Sequence, residues 1–148
     1  MGNKKRIFLF IVICMRFAVS GFTKQISIQI VQHAGTEEAL NEQTLVIEDE
    51  LLNGFFEYGY IVTNSPAAVS KNKSDDEILW SVGLADAYEG SSDFYIQIDL
   101  YYKLNKGDLI EEYIVNKVDW LISSVKSAKK IKNGTIKSKS GEINNISS

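Results

Sequence analysis

Several residue types are nearly missing from this chain, and each shortage removes a class of chemistry. The 148 residues contain one cysteine, one proline and one histidine, and the only arginines are Arg6 and Arg16. A lone cysteine, Cys14, forms no internal disulfide and cannot build a Cys/His zinc site. Apolar residues, in contrast, are abundant and make up 45% of the chain. A chain of this length and composition is expected to fold as one cored domain.

The first 20 residues read as a targeting segment. A basic stretch, Lys4 to Arg6, precedes the apolar run "IFLFIVIC", and "FAVSG" follows it. These are the n-region, h-region and small-residue cleavage site of a secretory signal peptide. We therefore predict a signal peptide over residues 1–20, cut between Ser20 and Gly21. The expected location is periplasmic or otherwise exported.

Two other interpretations of this segment concern the membrane. A membrane anchor needs about 20 apolar residues, and this run is shorter and is interrupted by Arg16. The mature chain is accordingly expected to have no transmembrane span. A lipoprotein would be acylated at Cys14, but Ile13 is bulky where such sites take a small residue. Lipidation of Cys14 stays an open alternative.

Export would change the chemistry of what remains. Loss of residues 1–20 removes Cys14 and both arginines and takes the formal charge from −3 to −7. Thiol catalysis, disulfides and zinc sites are then excluded together, and His33 is the single histidine. We predict no cofactor and no metal.

Charge is unevenly distributed along the chain. Acidic residues crowd the stretch from Glu37 to Asp119, whereas lysines mark the C-terminal end. These lysines are Lys126, Lys129, Lys130, Lys132, Lys137 and Lys139. Since no aromatic residue is interleaved with them, a solubilising edge strand or a frayed terminus is favoured over binding to nucleic acid or to an anionic surface.

Hydrophobic periodicity in the first half predicts a strand, a helix and a second strand. Residues Gln25 to Val31 alternate between isoleucine and polar residues, as a half-buried strand does. Gly35 and Thr36 offer a turn and an N-cap for a helix with apolar residues at three- and four-residue spacing up to Tyr58. Gly59 suits the left-handed helix end, and a short strand follows at once.

The second half predicts another helix and then hairpins. A capping box at Ser74 and Glu77 starts this helix. Its expected buried stripe is Ile78, Leu79, Val82 and Ala85. Residues 94–101 alternate as a strand, "NKGD" is a hairpin turn, and residues 131–137 form a final strand.

One segment, residues 109–123, fits either a helix or a strand. We favour the strand, because it is rich in β-branched and aromatic residues and follows a hairpin turn. The predicted fold class is therefore α/β: a two-layer sandwich with two main helices and a mixed sheet of about five strands. The sheet would start as a parallel β-α-β-α-β unit and continue in antiparallel hairpins. A single domain would span residues 21–138, followed by a disordered tail, 139–148.

Three stretches resemble an envelope domain shared by the curli-secretion pore subunit, the penicillin-binding-protein activator lipoproteins and the N-terminal domain of TolB. They are "LLNGFFEYGYIVTNSPA", "EILWSVGLADAYEGSSDFYIQIDLYY" and "VDWLISSVKSAKKIKNGTI". Gly59 to Val62 matches the helix-to-strand entry of that group. Ala85 to Ile96 matches its second helix end, with Ser92 in place of alanine, and Lys126 to Gly134 loosely matches its closing hairpin.

The resemblance implies a periplasmic α/β module that docks on another envelope protein and has no enzyme activity. It transfers no site residue. Where the family's first strand ends in a Pro-Phe pattern, this chain has "IQIVQHAG". A ligand site at that strand's end therefore does not carry over.

Catalytic interpretations find little support in the residues themselves. His33 has no nucleophile or metal ligand placed beside it by any motif, so we expect a solvated loop histidine. Asp99 with Glu111 and Glu112 could face one another as a glycosidase-like acid/base pair, but any acidic domain offers such pairs. We predict no catalytic residue.

A tyrosine-bearing sheet face is the most specific binding hypothesis. Tyr95 and Tyr101, with Tyr113 from the next strand, would lie beside Gln97 and Asp99. Rigid rings among polar groups suit a recognition surface for a partner protein or, alternatively, for a small ligand or glycan. Ordinary cross-strand aromatic pairing, or cover by a terminal segment, is the competing interpretation.

Overall fold

A computed structural model of the protein describes residues 24–33 and 40–137. The predicted signal peptide, its cleavage site at Ser20 and Gly21, and the tail 139–148 lie outside the described residues. The elements are β1 (Gln25–His33), α1 (Glu42–Glu57), β2 (Ile61–Asn64), β3 (Ala68–Val69), α2 (Lys73–Glu89), β4 (Phe94–Lys106), β5 (Glu111–Ser124) and β6 (Lys129–Lys137).

The sheet is mixed, as predicted. Its order is β2-β1-β4-β5-β6, and β3 pairs with β1 beyond the end of β2. Strand β1 runs parallel to β2, β3 and β4, whereas β4, β5 and β6 are joined as antiparallel hairpins. The α/β class, the two helices and the strand interpretation of residues 109–123 are confirmed. The short β3 brings the sheet to six strands.

Helix α1 packs on the isoleucine face of the sheet. Ile26, Ile28 and Ile30 of β1 meet Leu51 and Phe55 of α1, and Phe55 is completely buried. The core continues across the central strands through Ile96, Ile98, Leu100, Val118, Trp120 and Ile122. Burying so many large apolar side chains is the main stabilising contribution to the fold.

Both ends of α1 can be traced to named residues. The N-cap of α1 is Asn41, whose side chain accepts a hydrogen bond from the Gln43 backbone N–H at 2.9 Å. The predicted turn and N-cap, Gly35 and Thr36, lie outside the described residues. At the other end Gly59 has φ +90°, the left-handed conformation that its position predicted.

Helix α2 lies on the opposite face of the sheet, and two predictions about it are wrong. Its N-cap is Asn72, whose backbone N–H donates to the Asp75 carboxylate at 3.0 Å, so the capping box lies two residues before Ser74. The buried residues of α2 are Gly83 and Ala87, whereas the predicted stripe is largely exposed, with Ile78 at 61% and Val82 at 49%.

Strands β4 and β5 extend past their neighbours. Pairing of β4 with β1 ends at Tyr101, and pairing of β5 with β6 ends at Lys117. Among the described residues, Tyr102–Lys106 and Glu111–Asn116 then continue as a two-stranded extension, called here the β4–β5 ribbon. At about 3.4 Å per residue it projects roughly 17 Å beyond the rest of the sheet.

Candidate functional site

The predicted recognition residues of β4 do share one face of the sheet, but that face is not open throughout. Helix α2 crosses it over Tyr95, which has no exposed surface and packs with Ala87 and Val125. The Tyr95 hydroxyl donates to Gln29 Oε1 at 2.7 Å. Burial, with Asp99 and Asp86 nearby, raises the pKa of Tyr95 far above its ordinary value. Tyr95 is therefore a core residue that a ligand does not reach.

Beyond Tyr95 a hydrogen-bonded series continues along the same face. Gln97 Nε2 donates to Asp99 Oδ1 at 3.2 Å, and His33 Nε2 lies 2.8 Å from the same oxygen. The side chains of His33 and Asp99 are only 15% and 13% exposed. The expectation of a solvated loop histidine is wrong, because His33 is the last residue of β1 and register places it beside β4.

Tyr101, which is half-buried, lies at the end of this series. Its ring stacks on His33 with centroids 4.3 Å apart, and Lys117 Nζ lies 3.8 Å from the ring centroid. Lys117 also pairs with Asp119 at 3.1 Å, and Asp119 accepts from the Thr135 hydroxyl at 2.7 Å. The cluster thus ties β1, β4, β5 and β6 together by polar contacts.

Tyr113 lies on the other side of the sheet. A β-bulge between Tyr101 and Tyr102 shifts the register, so Tyr102 pairs with Val115 and Leu104 pairs with Tyr113. Tyr102 and Val115 pack on the α1 core, and directly opposed residues share a face. The predicted alignment of Tyr113 with Tyr95 and Tyr101 is therefore wrong.

The glycosidase-like carboxylate pair, which the sequence did not favour, is not formed. Asp99 lies opposite Asp119, whereas Glu111 lies opposite Lys106 at the far end of the hairpin. Glu111 and Glu112 are exposed on the ribbon.

The ribbon tip is a surface that sequence reasoning missed. Leu109 is 96% exposed and Ile110 is 75% exposed, in the loop that joins the two strands. Asp108 precedes this apolar pair in the loop, and charges on the two strands oppose one another, as with Lys106 and Glu111. An apolar pair directly after a polar "NKGD" turn was the available signal, because hairpin turns are ordinarily polar.

Alkaline pH gives a first prediction for this site. Burial, followed by the charges of Asp99 and Asp119, raises the pKa of Tyr101 from 10.0 to about 12. The unfolded chain releases this proton first, so the contribution to stability is complete below pH 10 and is lost progressively up to about pH 12. We expect Tyr101→Phe to lose less unfolding free energy than the parent across that interval, in denaturant titrations at each pH. If the unfolding free energies of the parent and of Tyr101→Phe fall equally between pH 10 and pH 12, the prediction is wrong.

The model of one protein family matches residues 25–147, and that family is described as "Uncharacterised protein". No curated protein matches the chain. Among the residues that the structure describes, no helix has the length and apolar character needed to span a membrane.

Similar solved structures include two bacterial proteins, one of them a lipoprotein. Lipoprotein GNA1162 from Neisseria meningitidis is 13% identical, with 82% of this chain and 90% of that chain covered and a TM-score of 0.47. The LpoB C-terminal domain from Escherichia coli is 12% identical, with 84% and 90% covered and the same TM-score. Similarity at this level supports no functional argument.

Proposed function

This chain belongs to the family matched over residues 25–147, and we propose that it is an exported, non-catalytic binding module that docks on another bacterial envelope protein. The observation that carries the proposal is the β4–β5 ribbon with an apolar pair at its tip. Leu109 and Ile110 are the most exposed large aliphatic side chains of the described chain, at 96% and 75%.

The chemistry of the ribbon favours a protein as the binding partner. Two adjacent aliphatic side chains at the end of a projecting hairpin present little area in isolation, but they can fill an apolar pocket of a partner. The ribbon carries Lys103 and Lys106 together with Asp108, Glu111 and Glu112. It therefore lacks the cationic excess that attracts a polypeptide to anionic lipid or nucleic acid.

Export is supported by the basic, apolar and small-residue order of residues 1–20. The mature chain would hold no cysteine. Because such a domain is stabilised by its apolar core and not by disulfides, it can fold in an oxidising compartment as well as in a reducing one. We place the module in the periplasm.

The experiment that tests the proposal is photo-crosslinking in intact cells from a probe at Leu109. The expected result is a discrete adduct with one envelope protein, absent when the probe replaces Asn53 on the exposed side of α1. A Leu109→Ser, Ile110→Ser variant with the probe at Lys106 should lose the adduct by at least about tenfold, because truncating apolar anchors removes most of the binding energy.

The same variant has to keep its fold for this result to count. Both side chains are exposed, so the unfolding free energy should change by no more than about 0.5 kcal/mol. An adduct that persists in a folded double-serine variant, or no adduct from Leu109 in an exported and folded protein, would rule out docking through the ribbon.

A further inference from the structure

The outer face of α2 carries an apolar stripe that the described fold leaves uncovered. Ile78, Val82 and Tyr88 are 61%, 49% and 72% exposed, and Ala85 lies exposed between them. Residues spaced by three and four positions share one side of a helix. The helix is held on the sheet by its other side, through Gly83 and Ala87. The stripe therefore has the spacing that packs against a second helix.

A groove of about 480 Å³ opens at the C-terminal end of this stripe. Tyr88 lines both the stripe and the groove, and Val125 forms an apolar part of its wall. Two acidic residues, Glu89 and Asp93, line the groove together with one basic residue, Lys126. Asp93 is fixed in place, because its Oδ2 accepts the Gln25 backbone N–H at 3.0 Å.

An aromatic ring and two acidic residues at this groove suit an arginine of a partner better than any other side chain. An arginine is planar, stacks on an aromatic ring and pairs with carboxylates through two parallel hydrogen bonds, whereas a lysine does neither as well. A guanidinium in this groove would have Tyr88, Asp93 and Glu89 among the residues around it. The net charge of the lining, with Lys126 counted, still favours a cation.

A second copy of this chain is a poor occupant. Helix α2 contains five carboxylates, Asp75, Asp76, Glu77, Asp86 and Glu89, and one cation, Lys73. Two such helices laid together would bring like charges into contact. In addition, both arginines of the chain lie in the predicted signal peptide, so a mature second copy has none to offer.

We propose that Ile78, Val82, Ala85 and Tyr88, together with the groove at Tyr88, form a docking face for an amphipathic helix of another protein, whose arginine enters the groove. This α2 docking face is separate from the ribbon and goes beyond the function proposed above. Apolar side chains of the partner would cover the stripe, and a basic residue along its flank would meet Glu89, the exposed carboxylate next to Tyr88.

A designed peptide tests the proposal. The probe is a labelled helical peptide of about 18 residues, with leucines at three- and four-residue spacing and arginines on both flanks. We expect saturable binding by fluorescence anisotropy, with backbone amide shifts in NMR spectra concentrated on α2 and on the groove. The same peptide with lysine in place of arginine should bind severalfold more weakly.

Variants of the protein locate the binding. Tyr88→Ala and Val82→Asp should each weaken the arginine peptide by at least about tenfold. Leu45→Asp, at an exposed position of α1, and the double-serine ribbon variant should bind as the parent does, which separates this inference from the ribbon proposal. The inference fails if no saturable binding occurs at millimolar peptide, if Tyr88→Ala binds normally, or if the lysine peptide binds equally well.

Discussion

Replacing Tyr95 by alanine is expected to lower the free energy of unfolding by about 3–5 kcal/mol, the usual cost of removing a buried aromatic ring. Tyr95 has no exposed surface and fills the space between β4 and α2 beside Ala87 and Val125. The loss also leaves Gln29 Oε1 without the hydroxyl that donates to it at 2.7 Å. The substitution therefore removes both packing and a buried hydrogen bond.

Urea unfolding followed by circular dichroism measures this effect. Tyr88→Ala is the matched control, because the same ring is removed from a position that is 72% exposed, and its effect should stay within about 0.5 kcal/mol. If Tyr95→Ala lowers the unfolding free energy no more than Tyr88→Ala does, the sheet face beneath α2 is solvated. Tyr95 would then again be a candidate recognition residue.

Replacing Gly83 by valine is expected to destabilise the protein by about 3 kcal/mol, at the upper end of the usual cost of overpacking. A Cβ at Gly83 would overlap the Tyr95 ring and hydroxyl and would lie 2.7 Å from Gln29 Oε1. Only hydrogen at this position lets α2 approach the sheet so closely. The added side chain must push the helix away from β4, which exposes Tyr95.

The control for Gly83 is Gly90, the C-cap of α2. Its φ is −77°, and a Cβ there would come no closer than 3.4 Å to another atom, so Gly90→Ala should be nearly neutral. A double-mutant cycle adds a second check, because Tyr95→Phe removes the overlapping hydroxyl and should reduce the cost of Gly83→Val. Additive effects of the two substitutions would show that the close approach does not set the position of α2.

Local patterns predicted the elements of this fold well. The alternation of Ile26, Ile28 and Ile30, the left-handed Gly59 and the "NKGD" turn each act within a few residues. Such signals fix where strands, helices and turns form, and right-handed crossovers then leave few topologies for a β-α-β-α-β start. The mixed sheet followed from these features alone.

The site could not be predicted in the same way, because two small residues determine which side of α2 packs on the sheet. Periodicity assigned the buried side of α2 to Ile78 and Val82, which are the larger apolar residues. The side that packs is marked by Gly83 and Ala87, since only small side chains leave room for Tyr95. A hydrophobic pattern predicts that large apolar residues are buried. It does not predict a close contact that requires glycine, such as that of Gly83 with Tyr95.

The amino-acid sequence by itself determined the α/β class, the two main helices, five of the six described strands, and the chemistry excluded by a single cysteine and a single histidine. Only the tertiary structure decided that His33 meets Asp99, that one bulge turns Tyr113 to the opposite face, and that the ribbon tip stands in solvent. The physical reason is separation along the chain. Register, bulges and helix placement are set by contacts between distant segments, and a single residue of shift exchanges the two faces of a strand.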